Sequence, residues 1–492
     1  MSRSSFSLLC FCVLLFAQSV HAQISPWPSI QHDQYHTGRT SVTGPATADT
    51  SWTRLLDGDI LGANTAPVIS TTGAILIGTT QGHVFAYDAS GQRLWKITLP
   101  GTISAPLGVA DNGRILVSTE NDSCYVLDPN GLVLSRLFIG FANSGPTMVG
   151  DIAYLSGNYN GAGFVFKIDM DVLWYTAQSN NLWQIDRSSP IVTLGGQVVV
   201  GTTENVFPYN SSGHISVLDA NCQEICSYNV GFFNGRGVRS SVSQTSTGRI
   251  VCGSVGDNAS LYGDGAFCNS DVTCGGCGTG AGHYFSSPAL LSNDTVVLGT
   301  KNGLSLRDPA GCGQTALYPT GPILNPSPVV DGQNTIYVGD DNGKLWAWSS
   351  AGVNIWNRQL NAAATGIAID VHGNLFVAST LGRLYCFRGP NQTAVNSEPQ
   401  PAHLQLSVWP NPATTQTTLQ LSPPKDAFVH CAVYDLSGRP VITLLDELVT
   451  GGTRSITWNG RNEHGQKIPS GMYWITARAG NQRMTKTVVL LP

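Results

Sequence analysis

The chain has 492 residues, a formal charge of −5 and only 12% charged residues, with 55 glycines and 26 prolines. So small a charge over this length, with no basic stripe, argues against a nucleic-acid-binding surface. The Gly and Pro content suits a turn-dense β protein, and the length allows one large domain beside a small one.

Met1 to Ala22 reads as a targeting segment. Arg3 supplies the positive start, Leu8 to Phe16 the apolar stretch, and Val20-His21-Ala22 a small-residue cleavage site before Gln23. Cys10 and Cys12 lie inside that stretch without the small residues of a lipoprotein signal. No other stretch approaches the roughly 20 apolar residues of a membrane helix. Exported protein without a transmembrane segment is the expectation.

A short phrase, small–small–Pro or a near variant, then recurs eight times. Its anchor positions are Pro67, Pro106, Pro146, Pro190, Val242, Pro288, Pro328 and Gly366. They are separated by about 38 to 52 residues, the spacing of four-stranded propeller blades. In copy one, strands are expected at 66–70, 74–79, 83–87 and 93–97, with turns at Gln81-Gly82 and Asp88 to Gly91. Copy eight has three strands and stops at Arg388-Gly389-Pro390, while Ser51 to Leu56 is an orphan strand resembling the outer ones at Trp95 and Trp356. An open ring would leave bare edges, so the orphan is expected to clasp copy eight. The fold class is therefore all-β: an eight-bladed β-propeller, seven if copy five is degenerate, closed by an N-terminal strand.

Ala86-Tyr87-Asp88 with Gly91 and Trp95, echoed from Ala347 to Trp356 with Ser349 in place of the Asp, resembles the docking pattern of the quinoprotein-like (PQQ-type) propeller family. In that pattern the Trp packs between neighbouring blades. The lead-in from Trp27 through His32 and His36 to Arg39 is similar to that of secreted members. The resemblance spans residues 26–390 and bears on fold, since propellers host many unrelated functions.

Residues 391–403 are polar and Pro-containing, a linker by composition. From 404 to 492 the chain resembles the Ig-like C-terminal sorting domain of the type IX (Por) secretion system, and equally the flagellar-hook-capping Ig-like domain. The matching residues include Pro410, Asn411, Pro412, Gly438, Gly460, Gly465, Gly471 and Tyr473. The resemblance implies handling by the type IX machinery, passage through the periplasm and release to the cell surface or medium. The domain boundaries expected are 1–22, 23–390, 391–403 and 404–492.

Ten cysteines follow residue 22. Cys222 and Cys226 flank a turn of copy four. Cys268, Cys274 and Cys277 sit in a Gly-rich insertion of copy five, and Cys312 takes an equivalent turn in copy six. Disulfide staples on neighbouring blades are the favoured reading, with free thiols or a zinc site at Cys274-Gly-Gly-Cys277 as alternatives. Cys124, Cys252, Cys386 and Cys431 fall in expected strands and read as small buried hydrophobes.

The family resemblance implies a central channel that, in quinoprotein dehydrogenases, holds PQQ and Ca²⁺ beneath a disulfide of adjacent cysteines. This chain contains no Cys-Cys pair, and no Glu/Asn/Asp set can be placed by motif, so no cofactor is expected. His32, Asp33 and His36 are read as packing against the propeller rim, Asp169 and Asp171 as turn residues, and Asp257, Asp264 and Asp271 as loop residues. The leading reading is a non-catalytic, surface-associated module binding a ligand, glycan or protein. A PQQ-dependent dehydrogenase and a polysaccharide-active enzyme are the alternatives.

Overall fold

The computed structural model describes residues 25–180, 182–203, 213–229, 238–253, 258–262, 275–278, 286–309, 314–390, 405–409, 411, 413–422, 427–435, 439–449, 454–479 and 482–491. The chain divides into two compact units, residues 1–392 and 393–492. Among the described residues no helix is long and apolar enough to cross a membrane.

The first unit contains eight four-stranded antiparallel sheets among its described residues. Sheet one is Val68–Ile69, Ile75–Gly78, His83–Tyr87 and Arg93–Thr98, in that order from inside to outside. Six further sheets repeat this plan in sequence. Copy five keeps it too, with strands Ser243–Gln244, Ile250–Gly253, Asn258–Tyr262 and Gly275–Gly278. Six anchors lie directly before their inner strands, Pro106 two residues before its own, and Gly366 lies within one.

Sheet eight closes the ring as the orphan strand foretold. Thr50–Leu55 pairs antiparallel with Arg383–Phe387, placing Trp52 opposite Cys386 and Arg54 opposite Leu384. A β-propeller results whose last sheet is built from both ends of the unit.

The two faces of each sheet are buried against different neighbours, because side chains alternate along a strand. Ile75 and Ile77 join a cluster with Phe376 and Phe387 of sheet eight, whereas Leu76 between them joins Val109 and Val117 of sheet two. Similar clusters link each successive pair of sheets. Each fully buried Leu, Ile or Phe contributes about 1.5–3 kcal/mol, so the seams hold the ring.

A tryptophan hydrogen bond pins two of these seams at the outer edge. Trp52 Nε1 donates to Ala89 O at 2.8 Å, and Trp95 Nε1 donates to Pro129 O at 3.1 Å, each in the turn of the next sheet. Tyr318 does the same to Ser350 O at 2.8 Å. The receiving turn is shaped by Asp88, whose Oδ1 accepts from the N–H groups of Ser90 and Gln92. In copy seven Ser349 takes that place and accepts from Val353 N–H at 3.0 Å.

The second unit forms two antiparallel sheets, one of strands Gln405–Trp409, Thr417–Ser422 and Arg454–Trp458, the other of Pro440–Val449, Ala427–Tyr434, Gly471–Ala479 and Gln482–Leu490. Leu419, Val433, Trp458 and Ile475 contribute to one apolar cluster shared by the two sheets.

Gly91 tests the seam between sheet eight and sheet one. Its φ is 79°, and an added Cβ would lie 2.6 Å from Trp52 Cδ2. Gly73 has a similar φ of 81° but open space around it. Gly73→Ala should therefore cost only about 1 kcal/mol of backbone strain, and Gly91→Ala about 1–3 kcal/mol more from displacing Trp52. Equal costs in denaturant unfolding would show that Trp52 does not hold this seam.

Candidate functional site

The inner strands gather about the axis of the ring, and the two ends of that axis differ in chemistry. At the end where the strands finish, the segment after Ser25 makes backbone hydrogen bonds to their last residues. Carbonyls of Trp27, Pro28, Gln34, Tyr35, Thr37 and Gly38 accept from the N–H groups of Ile69, Val109, Val192, Gln244, Leu290 and Val330 in turn. Those donors belong to sheets one, two, four, five, six and seven. His36 supplies the contact to sheet three, its Nε2 lying 2.6 Å from Thr147 Oγ1. Ser29, Gln31 and His36 are buried, and Gln31 Nε2 donates to Ser287 O and Pro288 O at 3.2 Å. The segment packs against the ends of the inner strands, which places the His32–His36 cluster at this end of the ring.

This path bends the backbone sharply. Gln31, His32 and His36 have φ values of 53°, 74° and 53°, in the left-handed region that non-glycine residues seldom occupy. Asp33 stabilises the bend by accepting from the N–H groups of Tyr35 and Thr37 at 3.0 and 3.1 Å, and from the Thr37 hydroxyl. Burial pushes the Asp33 carboxyl up, but His32 and Thr37 together hold it below its usual range. His36 is brought down to about 4, chiefly by burial, against the pull of Asp33 and the Val242 backbone. A neutral imidazole is therefore held at this end of the ring.

At the opposite end the repeats place a polar ring. The residues three positions before the anchors are Asn64, Ile103, Asn143, Arg187, Arg239, Phe285, Asn325 and Ala363. Five are amides or guanidiniums in the same register of different sheets. Asn143 Nδ2 donates to Asp186 Oδ1 at 2.8 Å, and Arg187 N–H donates to Asn143 Oδ1 at 3.0 Å. Arg239 Nε pairs with Asp186 Oδ2 at 3.0 Å. Arg187 Nη1 lies 3.5 Å from Asn325 Oδ1, spanning from sheet four to sheet seven. Burial raises the Asp341 carboxyl beside Asn325, while hydrogen bonds from Leu324 N–H and Asn325 oppose that shift.

Immediately inside this ring lies a collar of buried hydroxyls. Ser189 N–H donates to Ser241 Oγ, Ser241 N–H to Ser287 Oγ, and Ser287 N–H to Ser327 Oγ, at 3.1, 3.1 and 2.9 Å. Each bond joins one sheet to the next. These serines are used as sheet-to-sheet ties. Sequence reasoning recognised the small residues but missed the polar ring above them; counting back three from each anchor is the signal that finds it.

Asp169 ends the strand Ala162–Asp169 and Asp171 lies in the turn after it: Asp169 Oδ1 accepts from Asp171 and Val172 N–H, and Asp171 pairs with Arg114 at 2.9 Å. Cys222 is a free thiol packed with Tyr154 and Leu218, and burial pushes it up to about 12. The expected Cys222–Cys226 pair is thus corrected: the side chain faces the apolar seam with sheet three. Cys226 is disulfide-bonded, and not to Cys222. Cys124, Cys252, Cys386 and Cys431 are buried, as expected. Cys268, Cys274, Cys312, Asp257, Asp264 and Asp271 lie outside the described residues, as does the Cys277 side chain on its strand.

In the second unit, Asn411 bridges to the last strand, donating to Thr487 O and accepting from Val489 N–H, both at 2.8 Å. Tyr473 donates to Pro469 O at 2.8 Å and meets Trp458 edge-on. Gly460 and Gly465 sit in turns with φ of 69° and 73°, and Gly471 opens a strand. Pro410, Pro412 and Gly438 lie outside the described residues.

Residues 80–262 match a family model described as outer membrane protein assembly factor BamB, and residues 407–491 match one described as secretion system C-terminal sorting domain. Comparison with curated proteins found no match. Among solved structures, BamB from Moraxella catarrhalis aligns with a TM-score of 0.52 and 15% identity, over 70% of this chain and 99% of its own. Quinohemoprotein alcohol dehydrogenase from Comamonas testosteroni aligns with a TM-score of 0.60 and 11% identity, over 79% and 84%. At such identities the likeness shows the fold. The chain thus carries a PQQ-like, BamB-like repeat propeller followed by a type IX sorting domain, which directs export to the cell surface or extracellular space.

Quinoprotein chemistry calls for a cation held by converging ligands. Among the described residues no three His, Cys, Asp or Glu side chains converge, and the mouth ring offers mainly amides and guanidiniums. The described residues do not fit a PQQ–metal centre.

His36 makes the closed end pH-sensitive. Unfolded, it takes a proton near pH 6.5; folded, only near pH 4. Its contribution is complete above pH 6.5, is lost as pH falls to 4, and is constant below. Those 2.5 units amount to about 3 kcal/mol. His36→Gln should flatten this part of the stability–pH curve measured by thermal unfolding at pH 4 to 7.5; an unchanged slope would overturn the assignment.

Proposed function

We propose that the mature protein is a non-catalytic, surface-associated binding propeller that takes its ligand at the polar mouth of the channel. The observation that carries this reading is the asymmetry of the two ends. One is filled by a hydrogen-bonded segment, and the other presents five amide or guanidinium side chains in one register. A concavity with a few convergent polar groups is the usual form of a ligand site. The eight sheets are read as eight blades of one ring spanning residues 23–390, residues 391–403 as linker, and the second unit as an Ig-like sandwich. Adding PQQ and Ca²⁺ to purified protein tests the dehydrogenase alternative, since a cofactor absorption band with dye-linked alcohol oxidation would replace the binding reading.

The division into two units supports a sorting role separable from folding. A chain ending at Pro390 should melt at the same temperature as the full chain, because few contacts tie domains across a polar linker. In its own host it should accumulate in the periplasm. Recovery of the shortened chain at the surface or in the medium, in full-length amounts, would sink the sorting role.

Cys226 is assigned a staple to the copy-five insertion of the next blade or to Cys312 of the blade beyond it. Non-reducing peptide mass spectrometry should find Cys226 linked to Cys268, Cys274, Cys277 or Cys312, with Cys222 alkylated as a free thiol. Reducing the link should lower stability by about 2–4 kcal/mol on the chain-entropy model. A linked Cys222 would contradict the packing described above.

A further inference from the structure

We infer that the ligand at the mouth is a carbohydrate chain, stacked on Trp183 and hydrogen-bonded by Asn143, Asp186 and Arg187. The inference rests on reading the mouth as a binding site and goes on to name the chemical class it takes. Trp183 precedes Asp186 by three residues on the segment that leads into the inner strand of sheet four. That segment is fixed on both sides: Leu182 bridges to Gly163 and Gln184 to Thr203. Trp183 itself is nevertheless 44% exposed. Its ring stacks on His214, with centroids 5.6 Å apart and planes at 23°, which leaves one face of the indole covered and holds the ring in place. A large aromatic held open between two backbone anchors is a platform, since burial would have been the cheaper use of it.

The neighbouring segment repeats the arrangement. Phe141 is 39% exposed and pairs with Asn158 through its backbone, two residues before Asn143. Tyr159, 47% exposed, follows at the same end of sheet three. Exposed aromatics therefore share their segments with the polar ring residues.

The polar groups discriminate among ligands. Asp186 offers carboxylate acceptors, the guanidiniums of Arg187 and Arg239 offer donors, and Asn143 offers both. Asp186 is engaged with Asn143 and Arg239, so one guanidinium is neutralised in place, while Arg187 reaches the amide of Asn325. A balanced, planar set of donors and acceptors suits the paired hydroxyls of a sugar, whose ring C–H face packs on an aromatic.

The test uses full-length protein and four probes: hexasaccharides of β-1,4-glucose, β-1,4-N-acetylglucosamine and α-1,4-glucose, and an α-1,4-galacturonate hexamer. Binding is read by calorimetry and by tryptophan fluorescence. At least one probe should bind and change the fluorescence. Trp183→Ala should weaken it tenfold or more, Trp183→Tyr should retain most affinity, and Arg187→Ala should weaken it with the fluorescence change preserved. Gln223→Ala, at the opposite end of sheet four, should bind as wild type, and unchanged melting temperatures establish that the variants fold. Binding that survives Trp183→Ala overturns the proposal. Failure of all four probes also overturns it; if a peptide library then yields a binder sensitive to Asn143→Ala, the mouth remains a binding site and only the carbohydrate class fails. If no Asn143-sensitive binder of either kind is found, both readings fall.

Discussion

Each four-stranded sheet of the first unit is apolar on both faces, and neither face can remain in water. Ile75 and Ile77 need one neighbour, and Leu76, between them, needs another. A linear stack satisfies every sheet except its two outermost. A ring satisfies all of them, which is why the pairing of Thr50–Leu55 with Arg383–Phe387 matters beyond its five residue pairs. The twist between stacked sheets brings the inner strands together around an axis, and the two ends of that axis are a by-product of that closure.

The chemistry of those ends follows from the same repetition. A residue at a fixed distance from the anchor occupies the same level in every sheet, so the sequence can write a ring by repeating a residue type at one register. It does so with serine and threonine directly before the anchors, where small hydroxyl residues tie one sheet to the next. It does so again with asparagine and arginine one step further out. The closed end is made differently, by a single non-repeating segment whose carbonyls serve six inner strands. Repetition produced the symmetric parts, and one irregular stretch broke the symmetry between the ends.

Much of this was legible in the sequence. The anchors, the turns at Gln81-Gly82 and Asp88 to Gly91, and the orphan strand at Trp52 led to the architecture, because spacing and turn chemistry are local properties. The sorting domain was legible from its ordered motifs. The route of Trp27 to Gly38 was not, because backbone carbonyls carry no side-chain signature. Cys222 misled for a related reason: two cysteines beside a turn suggest a staple, but only the fold tells which one points into a seam. The mouth ring was hidden by composition, as Asn and Arg before a β-strand look like any loop until eight copies are aligned on their anchors.

The clasp also sets an order of events. Strand Thr50–Leu55 is synthesised more than three hundred residues before its partner Arg383–Phe387, and the segment packed on the ends of the inner strands is earlier still. Neighbouring hairpins can zip locally, but this contact spans nearly the whole unit and so comes last. The entropy of closing so long a loop rises only slowly with its length, so the delay is set by waiting for the partner strand to emerge. During that wait the earliest part of the chain has no permanent place, and the half-built stack exposes one apolar face at each end. Such an intermediate is prone to join a second copy of itself, edge to edge or face to face. A chain bound for export therefore depends on the interval between the arrival of its first strand and of its last.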